Sequence, residues 1–175
     1  NQSVNHKSSW RSDAELDFYF VQNNIPCITN IDTRQLTRLL AINGAMKAAI
    51  IHFQNNDHNI NNLKEKIRDW RGLEHLDLAS LVSTTSIYKS SEGIWDIKNN
   101  NYNLNKNSQY NITCLDFGIK TNILRNLNNN FFSPTILPAN SSLEDILQTN
   151  PKGIFLSNGP GDPFETGKVI IPVIK

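Results

Sequence analysis

Thiols, methionine and surplus charge are all scarce in this 175-residue chain, which has two cysteines, one methionine and a net charge of +1 from 17 Lys+Arg against 16 Asp+Glu. Cys27 and Cys114 have neither CxxC nor metal-ligand spacing. That argues against a disulfide framework and for a reducing compartment. The charge balance gives no electrostatic footing for nucleic acid or an anionic membrane. No apolar run approaches the roughly 20 residues of a membrane span. Asn1–Lys7 has no initiator Met and no signal-peptide core, and the chain stops on the apolar run 169–174, so both ends read as cut from a longer protein. His6, His52, His58 and His75 have no His-x-x-x-His or carboxylate-paired spacing, so no metal site is expected. Hydrophobic residues make up only 38%, and 26 asparagines fill the shortfall. Isoleucine, leucine and phenylalanine still recur periodically, which marks a folded chain rather than a disordered one. Enrichment in Asn and Ile is what an AT-rich coding sequence tends to produce.

The first part of the chain reads as a mixed α+β domain. Ser12 and Glu15 have capping-box spacing, ahead of a short helix with Leu16, Phe18, Tyr19 and Phe20 on its apolar face. Asn23-Asn24 end it, and 25–31 is expected to be a strand or extended segment. Asp32 or Thr33 caps a second helix with Leu36, Leu39 and Leu40 at i, i+3 and i+4, stopped at Asn43-Gly44. Residues 48–53 read as a buried strand, and a helix follows over 60–70. Arg34 and Arg38 share one face of the second helix, which reads as solvated.

Residues 98–111 alternate asparagine with little apolar periodicity and form the best linker candidate. The expected division is therefore 1–97, linker 98–111, and 112–175. Beyond the linker, strands at 112–117, 134–138 and 153–157 alternate with helices, the second of them capped by Ser141 or Ser142. Short-linked strand-helix-strand-helix-strand is the mark of a parallel, doubly wound sheet.

The densest chemical candidate is the loop Ser157-Asn158-Gly159-Pro160-Gly161-Asp162-Pro163, at the carboxyl end of a strand, where open α/β sheets place ligands. Its glycines let backbone N–H groups approach a ligand, and N–H groups aimed at a developing negative oxygen form an oxyanion hole. The plainer reading is a tight turn that needs glycine for its dihedrals. No Rossmann GxGxxG or P-loop spacing is present. Asp116-Phe117-Gly118 has the letters of a kinase motif, but the other kinase elements are missing, and it reads as a strand end and turn. Both cysteines sit among apolar neighbours and read as core residues rather than nucleophiles.

Two stretches carry a family resemblance. Asn30-Ile31-Asp32-Thr33-Arg34-Gln35-Leu36-Thr37-Arg38-Leu39-Leu40, with Ser9-Trp10-Arg11-Ser12 before it, resembles the N-terminal domain of the carbamoyl phosphate synthetase small-subunit family. The segments 115–125 and 156–163 resemble the opening of that family's class I glutamine amidotransferase domain. The resemblance implies a partial N-terminal domain followed by the first half of a doubly wound glutaminase domain. It implies hydrolysis of glutamine to glutamate and ammonia, with the ammonia passed to a large-subunit partner. That partner makes carbamoyl phosphate with ATP and Mg2+ for arginine and pyrimidine synthesis; the small subunit itself needs no cofactor. By the same resemblance Gly159 and Gly161 bind glutamine, with the Gly159 amide as oxyanion donor.

The departures from the family pattern are as informative. The resemblance implies a further strand beginning near 171–173; the family's cysteine elbow after it and its catalytic His and Glu match nothing here and are expected beyond Lys175, and a glutamine-binding serine is expected before Asn1. Thr121 stands where a basic residue is common. No catalytic residue is therefore assigned within the chain, which alone is expected to be inactive. A second reading is a non-catalytic module that docks on a synthetase subunit. A third, the glutaminase of an anthranilate or GMP synthetase, fits residues 30–40 and the long upstream domain poorly. The expected compartment is the cytoplasm, or the plastid stroma if the gene is plastid-encoded.

Overall fold

A computed structural model describes residues 9–52, 59–73 and 75–175. The chain forms two compact units, Asn1–Gly72 and Leu73–Lys175.

The described part of the first unit is helical, with α1 (Leu16–Gln22), α2 (Thr33–Asn43) and α3 (Ile60–Asp69). Local chemistry starts two of them. The Asp32 carboxylate accepts a hydrogen bond from the Gln35 N–H at 2.9 Å, and the Asn59 side chain accepts one from Asn62 at 3.0 Å. Gly44 at φ 74° ends α2 as expected. The capping box ahead of α1 does not form. Glu15 is its N-cap with no side-chain bond, because Ser12 Oγ donates to the Ala14 carbonyl at 2.9 Å instead.

No strand forms at 25–31, where Asn30 at φ 60° interrupts the extended run, nor at 48–52. Phe53, like His6 and His58, lies outside the described residues. An extended segment becomes a strand only with a partner for its N–H and C=O groups, and the described residues of this unit provide none. Cys27 is accordingly exposed rather than core. No residue of α1, α2 or α3 is buried.

The second unit runs α4 (Leu78–Val82), β1 (Tyr88–Lys89), β2 (Glu92–Asp96), β3 (Asn101–Leu104), β4 (Tyr110–Asp116), α5 (Thr121–Asn129), β5 (Phe132–Pro138), α6 (Leu143–Gln148), β6 (Gly153–Leu156) and α7 (Pro163–Ile174). The main sheet has the order β1-β5-β4-β6, with β4 parallel to both β5 and β6 and β1 antiparallel at one edge. Side chains alternate across it. Leu115 and Leu137 face one layer with Ala79, Ile146 of α6 and Ile170 of α7. Cys114 and Ile136 face the other with Leu124 of α5. Helices therefore cover both faces, as a doubly wound α/β sheet requires. Ser142 and Asp145 complete a reciprocal capping box at α6.

Residues 98–111, read as a linker, carry β3 and the first residues of β4. Asparagines there bond rather than idle. Asn105 Nδ2 donates to the Phe132 carbonyl at 2.7 Å, and Asn128 of α5, only 3% exposed, donates to Ser90 Oγ and the Glu92 carbonyl. Arg125 of the same helix reaches Glu92 at 2.7 Å and lies 3.5 Å over the Tyr102 ring. The antiparallel β2-β3 hairpin is thereby tied to α5. At the other end, residues 171–173 are helical instead of opening a strand. Asp162 caps α7, Pro163 stands at its start, and Ile170 and Val173 fall three apart on the buried side.

Candidate functional site

The loop after β6 is built against the turn that follows β4. Asp116 ends β4 and is only 5% exposed, and one carboxylate oxygen accepts from the N–H groups of Gly118 at 2.9 Å and Ile119 at 2.8 Å. Its other oxygen accepts from the Thr84 N–H at 2.8 Å. Three donors on one carboxylate make Asp116 a strut for the turn, in line with the non-kinase reading of Asp116-Phe117-Gly118. Gly118 sits at φ 117°, and a Cβ there would meet Pro160 Cδ and Val82 Cγ2 at 3.1 Å.

Phe117 holds the loop twice. Its N–H donates to Ser157 Oγ at 2.9 Å, while its carbonyl presses on Gly159 so closely that a Cβ at 159 would lie 2.2 Å from that oxygen. No side chain fits there. Gly161 takes φ 87°, and a Cβ on it would come within 3.0 Å of the Leu76 carbonyl. Both glycines are thus fixed by backbone packing, one by contact and one by dihedral as well. Ser157 continues the β6 ladder through its N–H to the Leu115 carbonyl at 3.2 Å, and its hydroxyl donates to the Asn158 carbonyl at 2.8 Å. Beyond the loop, Asp162 accepts from the Phe164 N–H at 2.9 Å and starts α7.

The structure therefore brings Gly159 and Gly161 together with Phe117 and Ser157 in an exposed loop at the carboxyl end of a parallel sheet. Among the described residues, no acceptor takes the N–H of Gly159 or of Gly161. Such a held loop with unspent donors suits a negatively charged or carbonyl oxygen. The roles of Ser157 and of the Phe117 carbonyl were not legible from the loop's spacing. The one available signal was a serine placed directly after the last strand residue.

The Cys114 thiol is not poised for attack. It is fully buried in β4, and burial pushes its pKa up to about 12. His75, Asp162 and Glu165 place potential ligand atoms within 4.8 Å of one another. Glu165 already receives two hydrogen bonds from Lys168, at 2.8 and 2.6 Å, and His75 approaches it at 3.4 Å. The Lys168 bond, with smaller help from the charges of Lys168 and His75, holds the Glu165 carboxyl below its ordinary value, against a smaller opposing effect of desolvation. Glu165 is thus already paired with Lys168 within α7, and Asp162 is spent on the helix cap.

Residues 113–174, which hold most of the parallel sheet and the Gly-Pro-Gly loop at its carboxyl end, match the class I glutamine amidotransferase model. Residues 1–50 match the CPSase domain of the carbamoyl-phosphate synthase small chain. The chain is related to the carbamoyl phosphate synthase small chains along nearly its whole length. It is 39% identical to that of Bartonella henselae over 173 residues, 98% of this chain and 43% of that protein. It is 38% identical to the small chain of Bradyrhizobium diazoefficiens over 173 residues, covering 99% and 43% of the two. The small chain of Brucella ovis is 40% identical over 167 residues, 95% of this chain and 41% of the relative. The chain thus spans less than half the length of these relatives, and the resemblance read from 30–40, 115–125 and 156–163 holds in both halves.

Proposed function

We propose that this chain belongs to a glutamine-hydrolysing carbamoyl phosphate synthase small chain, in which Gly159 and Gly161 bind the glutamine amide. A thiolate attacks the amide carbon, ammonia leaves, and water cleaves the resulting thioester. Each step passes through an oxyanion, to which the Gly159 N–H donates, with Gly161 holding the far side of the loop. The attacking thiolate comes from the remainder of the full-length protein, since Cys114 is buried and held protonated. Ammonia then passes to a large-subunit partner that uses ATP and Mg2+ to make carbamoyl phosphate for arginine and pyrimidine synthesis. The setting is the cytoplasm, or the stroma for a plastid-encoded gene.

The observation that carries this reading is Gly159, wedged against the Phe117 carbonyl with its own N–H unspent. The test is glutamate release by the full-length small chain paired with its large subunit, beside the 175-residue chain alone. Release by the former and none by the latter is expected. No release by the full-length pair would leave a docking module as the better description, and release by the short chain would refute the assignment of the thiolate elsewhere.

A further inference from the structure

An oxyanion donor is useful only if its peptide plane is held, because a flipped plane offers a carbonyl where an N–H is needed. In a trans peptide the C=O and the N–H point in opposite directions, so fixing one fixes the other. The Asn158–Gly159 peptide is trans. Its carbonyl receives the Ser157 hydroxyl at 2.8 Å. That hydroxyl cannot wander, because its oxygen accepts the Phe117 N–H at 2.9 Å from the neighbouring strand end. The Phe117 carbonyl meanwhile blocks any drift of Gly159 toward the sheet. The glycine at 159 has no side chain to resist a flip by itself, so the restraint has to come from its neighbours.

We propose that Ser157 is a positioning residue for glutamine hydrolysis: its hydroxyl locks the Asn158–Gly159 peptide so that the Gly159 N–H faces the reacting amide. The proposal rests on the oxyanion reading above and adds what sets that donor's direction. Ser157 touches no substrate; it acts through Gly159. Its contribution is to the transition state, since the ground-state amide oxygen demands far less of a donor than the developing oxyanion.

The experiment uses the full-length small chain in its complex with the large subunit, and compares Ser157→Ala and Ser157→Thr with the unaltered protein. For Ser157→Ala, kcat for glutamate release falls by about 10- to 100-fold while KM stays within about twofold. Inhibition by glutamate γ-semialdehyde, whose thiol adduct bears the same oxyanion, weakens by about the same factor as kcat. Ser157→Thr keeps the hydroxyl and recovers kcat to within about threefold. A merely structural serine would instead lower the unfolding midpoint and change kcat and analogue binding by unrelated factors, which overturns the proposal. So does a Ser157→Ala complex within twofold of normal kcat, or a threonine variant as slow as the alanine one. If the unaltered complex itself releases no glutamate, it is the glutaminase reading that falls.

Discussion

Asp32 and Asn59 start helices in residues 1–72 just as Asp77, Ser142 and Asp162 do in residues 73–175, yet only the second set of helices turns onto a core. Leu36, Leu39 and Leu40 of α2 remain 42%, 45% and 40% exposed, whereas Leu115, Ile136 and Leu137 in the second unit are at 0%. Capping and apolar spacing are local and decide where a helix begins. Burial needs a facing surface, and β4 has one on each side because α6 and α7 cover one face of the sheet and α5 covers the other. A sheet buried on both faces concentrates stabilisation in few residues.

That contrast can be broken by mutation. Replacing Leu115 with Ala removes a side chain enclosed by Leu137, Ile146 and Ile170, and is expected to cost about 2–5 kcal/mol in denaturant unfolding of the second unit. An effect under 1 kcal/mol would mean that this core is not the source of its stability.

The two cysteines sharpen the comparison through pH. The Cys114 thiol ordinarily titrates at 9.0 and is raised to about 12 by burial. Its folded form therefore stays protonated while the unfolded thiol ionises. Stability is intact below pH 9 and falls as pH rises toward 12, by on the order of 1 kcal/mol at pH 10. Tyr88 is shifted the same way, by burial first and then by Asp116 and Cys114, and adds to the alkaline loss at higher pH. Unfolding curves at pH 8 and 10 should separate accordingly, and Cys114→Val should remove most of the difference. Exposed Cys27 should react with a disulfide reagent at once and Cys114 only as the second unit opens.

Smaller again is the α6 cap. Ser142→Ala should cost about 1 kcal/mol. The Asp145 carboxyl is held below its ordinary value, by the Ser142 backbone N–H first and the Ser142 hydroxyl second. Its contribution is therefore present above the ordinary carboxylate range and disappears as pH falls through the lowered value. An acid titration followed by the carboxyl carbon resonance would check the direction. At the bottom of the scale, Leu39→Ala in exposed α2 should change stability by no more than about 0.5 kcal/mol.

The parallel βαβαβ run was legible because each strand there is a short apolar block closed by a turn signal and followed by a 3.6-period helix. Ser142, Asp32 and Gly44 were legible for the same reason: caps act within one turn. What escaped was whatever depends on a distant partner. Segments 25–31 and 48–52 have strand composition but no pairing partner among the described residues of their unit. Segment 98–111 looked like a linker because asparagine is a loop former in isolation. Here Asn105 and Asn128 find acceptors on β2 and β5, and a hairpin results. At the site, glycine at 159 and 161 was readable as a motif. Its reason, the Phe117 carbonyl beneath Gly159, depends on β4 and β6 lying side by side.

The proposed glutamine chemistry depends on the Gly159 backbone, held by Phe117. Its test is kcat for glutamate release by a full-length small chain carrying Gly159→Ala, in complex with its large subunit. A Cβ placed 2.2 Å from the Phe117 carbonyl must displace the loop, and with it the donor. A fall of about 10²- to 10³-fold in kcat is the predicted result. A variant that hydrolyses glutamine within twofold of the normal rate would contradict it.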